Sequence, residues 1–160
     1  MRTRHLLLIG FVAAFAVSLA LVSASAAAAE IPLKGTVNAV ETGVTTFPIR
    51  SIIRDGGGTA TYLGKYTEQV VLQINLVTRS STGTATFTAA NGDTLTTTVV
   101  GQATLTTTPG VITVVEVYTI TGGTGRFANA TGTFTLHSTA IQATGVSSGT
   151  FSGVIDSPRP

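Results

Sequence analysis

Between Glu30 and Pro160, apolar and polar residues alternate in short runs and never hold a 3.6-residue period, so the pattern predicts strands and no helix. The clearest alternation is Thr67 to Thr78. There Val70, Leu72, Ile74 and Leu76 share one face and Gln69, Gln73 and Asn75 the other, which makes one side core and one side wet. Glu68 heads the apolar series, a place that suits a rim. Earlier, Leu33 to Val40 places Leu33, Val37 and Ala39 on one side. Thr45 to Arg54 alternates Phe47, Ile49, Ser51 and Ile53 after an irregular start at Pro48, which cannot donate to a ladder.

Punctuation between the runs sets their number. Asp55-Gly56-Gly57-Gly58 predicts a break, Thr59 to Tyr66 another strand or an extended approach, and Ser80 to Gly83 a turn. Asn91-Gly92-Asp93 between Thr84–Ala90 and Thr94–Thr108 predicts a hairpin, because both Asn and Gly tolerate positive φ. Pro109-Gly110 leads into Val111–Thr121. Gly122-Gly123-Thr124-Gly125 is a constrained link to Thr131–Ala140, and Gly145 to Ser148 connects to Gly149–Ile155. About eight strands at this spacing predict an all-β domain, either a single antiparallel eight-stranded β-barrel or a β-sandwich. Closure removes exposed sheet edges and favours the barrel.

Two other features change the picture. Arg2, Arg4 and His5 precede an apolar run from Leu6 to Val22 and small residues up to Ala29. Residues 1–29 therefore read as a secretory signal peptide, with cleavage after Ala29 or, alternatively, after Ala26 or Ala28. The expected location is secreted, periplasmic or at the cell surface, with residues 30–160 as one β-barrel domain. Beyond residue 29, Lys34, Arg50, Arg54, Lys65, Arg79, Arg126 and Arg159 balance Glu30, Glu41, Asp55, Glu68, Asp93, Glu116 and Asp156. With no basic run, neither nucleic acid nor a membrane is an expected partner after signal cleavage. The chain has no cysteine, which removes disulfides, thiolate metal sites and thiol catalysis. His137 is the one histidine after residue 29, and it shares a face with Thr133, Thr135 and Thr139. Neither a metal nor a cofactor is expected.

Glu116 is the most informative side chain. On Val111–Thr121 it shares parity with Ile112, Val114, Tyr118 and Ile120, and a carboxylate on an apolar face is costly unless paired or protonated. One reading makes it a lumen acid with Tyr118 as hydroxyl neighbour, the candidate catalytic pair. The other places it near a rim in a structural pair with an arginine, or on the other face through a bulge. Tyr62, Tyr66 and Tyr118 are candidates to line a mouth for an aromatic ligand, or packing residues with a wet hydroxyl. Arg126 is a candidate to reach over the mouth toward an anion or Glu116.

The stretch Gly122-Gly123-Thr124-Gly125-Arg126-Phe127-Ala128-Asn129-Ala130-Thr131-Gly132 resembles the signature of the dirigent and allene oxide cyclase-like barrels. Val111–Thr121 before it and Gly149-Thr150-Phe151-Ser152-Gly153-Val154-Ile155 at the end are similar to the same family. Gly58-Thr59-Ala60-Thr61-Tyr62-Leu63-Gly64 looks like a segment of bacterial secreted proteins of similar build. The resemblance implies an eight-stranded barrel with an apolar lumen, often associated into trimers, and hence a homo-oligomer. Its enzymatic members steer reactive oxygenated or phenolic intermediates, but their acidic and basic catalytic positions find no residue-by-residue match here. The expected function is binding of a small apolar or aromatic molecule in the lumen, or a structural module without turnover. A dirigent- or cyclase-like isomerase and a surface or matrix interaction protein are the alternatives.

Overall fold

The computed structural model describes residues 30–156. The signal peptide read at residues 1–29 and the last four residues lie outside that range. Eight strands, β1 (Glu30–Thr46), β2 (Ile49–Ala60), β3 (Gly64–Asn75), β4 (Ser80–Ala89), β5 (Thr94–Leu105), β6 (Val111–Gly123), β7 (Thr131–Ile141) and β8 (Val146–Asp156), pair with their sequence neighbours. All pairs are antiparallel, and β1 closes on β8 from Glu30↔Asp156 to Val40↔Val146, so the barrel has no free edge. One 3-10 turn, Gly125–Phe127, interrupts the β6–β7 link.

The two ends differ. Links β1–β2, β3–β4, β5–β6 and β7–β8 lie at one end, called here the mouth. The other end holds links β2–β3, β4–β5 and β6–β7 and is sealed. Phe127 from the glycine-rich link is fully buried there, edge-on to Tyr62 at 5.7 Å between ring centroids. Burying such a ring contributes about 1.5–3 kcal/mol. Above this plug Tyr66, Phe87, Tyr118, Phe134 and Phe151 fill the lumen as a connected aromatic cluster, with Tyr118 and Phe134 stacked at 4.6 Å. Leu33, Leu95 and Ile155 are sealed among them at 0% exposure, so half the barrel is solid core.

Strand parity on β1, β3 and β6 agrees with the alternation in the sequence: Leu33, Val37 and Ala39, then Val70 and Leu72, then Glu116, Tyr118 and Ile120 all face inward. Three expectations are corrected. Asp55–Gly58 does not break the chain, because β2 runs through it in register with β1 and β3. The glycines are there for space: a Cβ on Gly58 would stand 1.9 Å from the carbonyl oxygen of Thr36. Ser80–Gly83 opens β4, and the turn falls at residues 76–79, where the Asn75 side chain accepts hydrogen bonds from the backbone of Val77 and Thr78. On β2 the expected face is inverted. Ile52 and Arg54 are buried, while Ile53 is exposed, as is Phe47 in the β1–β2 turn that splits the strand read at Thr45–Arg54.

The close contact at Gly58 yields a prediction. Gly58→Ala should destabilise the barrel by about 2 kcal/mol or more, since only backbone movement relieves the clash. Gly64→Ala, which meets open space but sits at φ +72°, should cost only about 1 kcal/mol. Denaturant unfolding compares the two; equal losses would contradict this account of β2.

Candidate functional site: a well above a buried charge cluster

Between the aromatic core and the mouth the lumen is open, as a well of about 150 Å³. Ile52, Leu72, Ile74, Ile112 and Val114 supply apolar wall. Ser81, Ser138 and Ser147 add hydroxyls, and Arg54 and Glu116 face it from below. Alternation explains the wall, since every second residue of each strand points inward.

Arg54 enters from β2 and Glu116 from β6, with 5% and 1% of their surfaces exposed. The guanidinium grips the carboxylate with two parallel bonds, Nη1 to Oε1 at 3.1 Å and Nη2 to Oε2 at 2.8 Å. Tyr118, two residues along β6 and on the same face, donates its hydroxyl to Glu116 Oε2 at 2.8 Å and accepts from Arg54 Nη2. A bidentate, doubly anchored pair is the geometry that makes burial of two charges tolerable.

Glu68 on β3 is the third charge, and it corrects an expectation: it is 5% exposed and sits below the well instead of at a rim. Its Oε1 lies 3.7 Å from Arg54 Nε, too far for a hydrogen bond, and neither atom has another partner among the described residues. One guanidinium thus serves two carboxyl groups unequally. Burial, offset by Arg54 and reinforced by Glu116, pushes Glu68 up to about 7. On Arg54, burial works against the charge, but Tyr118, Glu116 and Glu68 outweigh it and raise its pKa, so it stays protonated. The Tyr118 hydroxyl is driven well up by burial and then by Glu116, and that of Tyr66 is raised by burial and Glu68; both hold their protons.

Of the residues singled out in the sequence, Glu116 lines the well and Tyr118 anchors it from beneath. The Glu116 carboxylate has the arginine partner of the structural reading, but deep in the lumen; the β5–β6 bulge falls beyond it, at Thr121. Tyr66 lies in the aromatic cluster and donates to the Thr36 carbonyl at 2.8 Å. Tyr62 and Arg126 are not brought to Glu116. They sit at the sealed end, where the Arg126 guanidinium lies 4.8 Å from the Phe127 ring centre, 5.9 Å from that of Tyr62, and donates to the Leu63 carbonyl. His137 is exposed on the outer face. Among the described residues no group of three or more His, Cys, Asp or Glu side chains could hold a metal.

Sequence reasoning missed Arg54. Its signal was the second parity of β2, in which Arg50, Ile52 and Arg54 alternate as regularly as Ile49, Ser51 and Ile53. At the mouth, Arg50 pairs with Glu41 at 3.2 Å, while Arg79 is carried by the β3–β4 turn at φ 59°.

Two predictions follow from the charge cluster. Arg54→Met, which leaves Glu116 without its partner, should cost about 3–5 kcal/mol in urea unfolding, and a loss below about 1 kcal/mol would mean that the pair is not desolvated. Glu68 binds its proton more tightly folded than unfolded. Its contribution is therefore complete below its ordinary pKa near 4.5 and is lost as pH rises through about 7. Stability should fall on the order of 1–3 kcal/mol between those values, and Glu68→Gln should flatten the fall. An unchanged pH profile in that variant would remove Glu68 from the account.

No family model matches the chain, and no curated protein matches it. Among solved structures, the pterocarpan synthase dirigent protein GePTS1 is similar, with a TM-score of 0.59 over 89% of this chain and 97% of that one, at 14% identity. Identity that low speaks to fold alone. With closure, strand order and this likeness together, the chain is an eight-stranded β-barrel of dirigent-like fold.

Proposed function

We propose that the barrel binds a small apolar or aromatic molecule in the open half of its lumen and does not transform it. The observation that carries this reading is the well itself: an apolar wall, a volume of about 150 Å³, and a floor made by the buried Arg54–Glu116 pair. A dry cavity of about that size accommodates one benzene-sized ring. A polar substituent at its inner end would meet Arg54 and Glu116, and Ser138 or Ser147 would meet one on its flank. Anything larger would extend through the mouth.

The same reading covers the rest of the protein. Residues 1–29 would direct export, residues 30–160 would act outside the cytoplasm, and the chain would be a distant member of the dirigent and allene oxide cyclase-like barrels. Isomerase or cyclase chemistry by Glu116 and Tyr118 is the less favoured alternative. The Tyr118 hydroxyl is spent on Glu116 and Arg54, and both carboxylate oxygens of Glu116 already accept hydrogen bonds.

Phenol is a direct probe, as one ring with one hydroxyl. Methyl NMR of the purified barrel should show phenol-dependent shifts concentrated on Ile52, Leu72, Ile112 and Val114. Val114→Phe, which fills the well, should abolish them and leave the thermal midpoint within a few degrees. Shifts that scatter over the outer surface, or that survive in the filled variant, would overturn the assignment.

A further inference from the structure

The mouth is unlike the rest of the surface. Val44 and Phe47 of the first hairpin, Val77 of the second and Leu105 of the third are the most exposed large apolar residues among those described, at 73%, 75%, 65% and 58%. All four stand at the same end of the barrel. Just below them a collar continues around the outside, because Val40, Val146 and Ile141 are cross-strand neighbours on β1, β8 and β7, each between 44% and 49% exposed. The apolar rim is also continuous with the well, since Leu76 and Leu105 are both exposed at the mouth and part of its lining.

Charge at this end is sparse and on balance positive. Residues 40–52, 72–82, 102–114 and 138–147, which make the mouth, contain one of the chain's seven acidic residues, Glu41, and two arginines. Glu41 is paired with Arg50, and Arg79 beside the opening is left as net positive charge. The four most exposed of these apolar residues come from three separate hairpins at the end where the well opens. Such an arrangement packs poorly against a rigid, flat partner, whereas a fluid layer fills the gaps between them.

From this we infer that the mouth docks on a lipid surface containing anionic headgroups. The hairpin tips enter the acyl boundary, Arg79 meets a headgroup, and the well opens toward the layer. An apolar rim with a local cation uses the same two forces as other interfacial anchors, partition and attraction. The balanced charge of residues 30–160 gave no sign of this partner, because the contributing residues are spread from position 40 to 146 and meet only in the fold. That the docked barrel loads its ligand from the layer rests on the binding reading above; the docking itself does not.

The absence of tryptophan from the chain makes the test clean. Phe47→Trp gives a single reporter at the mouth, and Val100→Trp gives one on the barrel flank at a site 55% exposed. With vesicles of equal parts phosphatidylglycerol and phosphatidylcholine, emission of the mouth reporter should shift to the blue and that of the flank reporter should not. In vesicle sedimentation the Phe47→Ser, Val77→Ser variant should bind about tenfold more weakly or worse. Pure phosphatidylcholine should bind less than the mixture, and Arg79→Ser should narrow the difference. The inference is overturned if vesicles leave the mouth reporter unchanged, if both reporters shift alike, or if the mouth reporter shifts with protein concentration in the absence of lipid, which would mark self-association. Phenol binding is measured without lipid, so failure of docking and failure of the ligand reading are separate results.

Discussion

A guanidinium inside a closed barrel is the constraint on which this structure depends. Desolvating Arg54 is costly, and only an equally buried counter-charge with good geometry compensates it. Glu116 supplies that charge from across the lumen, Tyr118 fixes the carboxylate, and Glu68 gives a third group that takes up its proton as pH falls through about 7. The cluster also divides the interior. Below it the lumen is packed with aromatic rings, and above it the wall residues are aliphatic and short enough to leave space. The well has a polar floor because the charges must lie somewhere, and they lie at the boundary between the packed and open halves.

The glycine-rich link between β6 and β7 acts at the opposite end. Its backbone makes a tight 3-10 turn that drops Phe127 into the barrel, and Asp93 from the neighbouring hairpin accepts from the Arg126 amide at 3.3 Å. Arg126 then lies over the aromatic rings it helps to seal. The motif is thus a stopper, and its conformational demands, with Gly125 at φ +55° and Asn129 at +58°, explain its composition without a ligand. Sealing one end leaves the other as the only way into the lumen that the described residues provide.

Much of this was legible from alternation. The all-β class, the approximate number of strands and the inward faces of β1, β3 and β6 follow from period-two patterning, the barrel is favoured over a sandwich because closure removes edges, and Glu116 stood out because it broke an apolar face. What was not legible depends on contacts between distant residues. On β2 either parity holds isoleucines, and the inward one is settled by Glu116, which takes up Arg54 from 62 residues further on. The same pairing explains why Glu68 can be buried. Gly56 to Gly58 read as punctuation because a local pattern cannot show that the neighbouring strand lies too close for a side chain. Likewise the exposed apolar ring at the mouth gathers residues from different hairpins, each unremarkable in its own segment.

Fold, well and mouth therefore form one arrangement, a barrel stoppered at one end and open at the other, with a compensated charge between. The claim at its centre is that Arg54 is locked in the lumen by its two neighbours on β6. Side-chain NMR of 15N-labelled arginine tests it most directly. The account predicts one guanidinium whose η protons are individually resolved and exchange slowly with water, as a bidentate, buried group requires. Averaged, rapidly exchanging η signals for every arginine in the protein would contradict it.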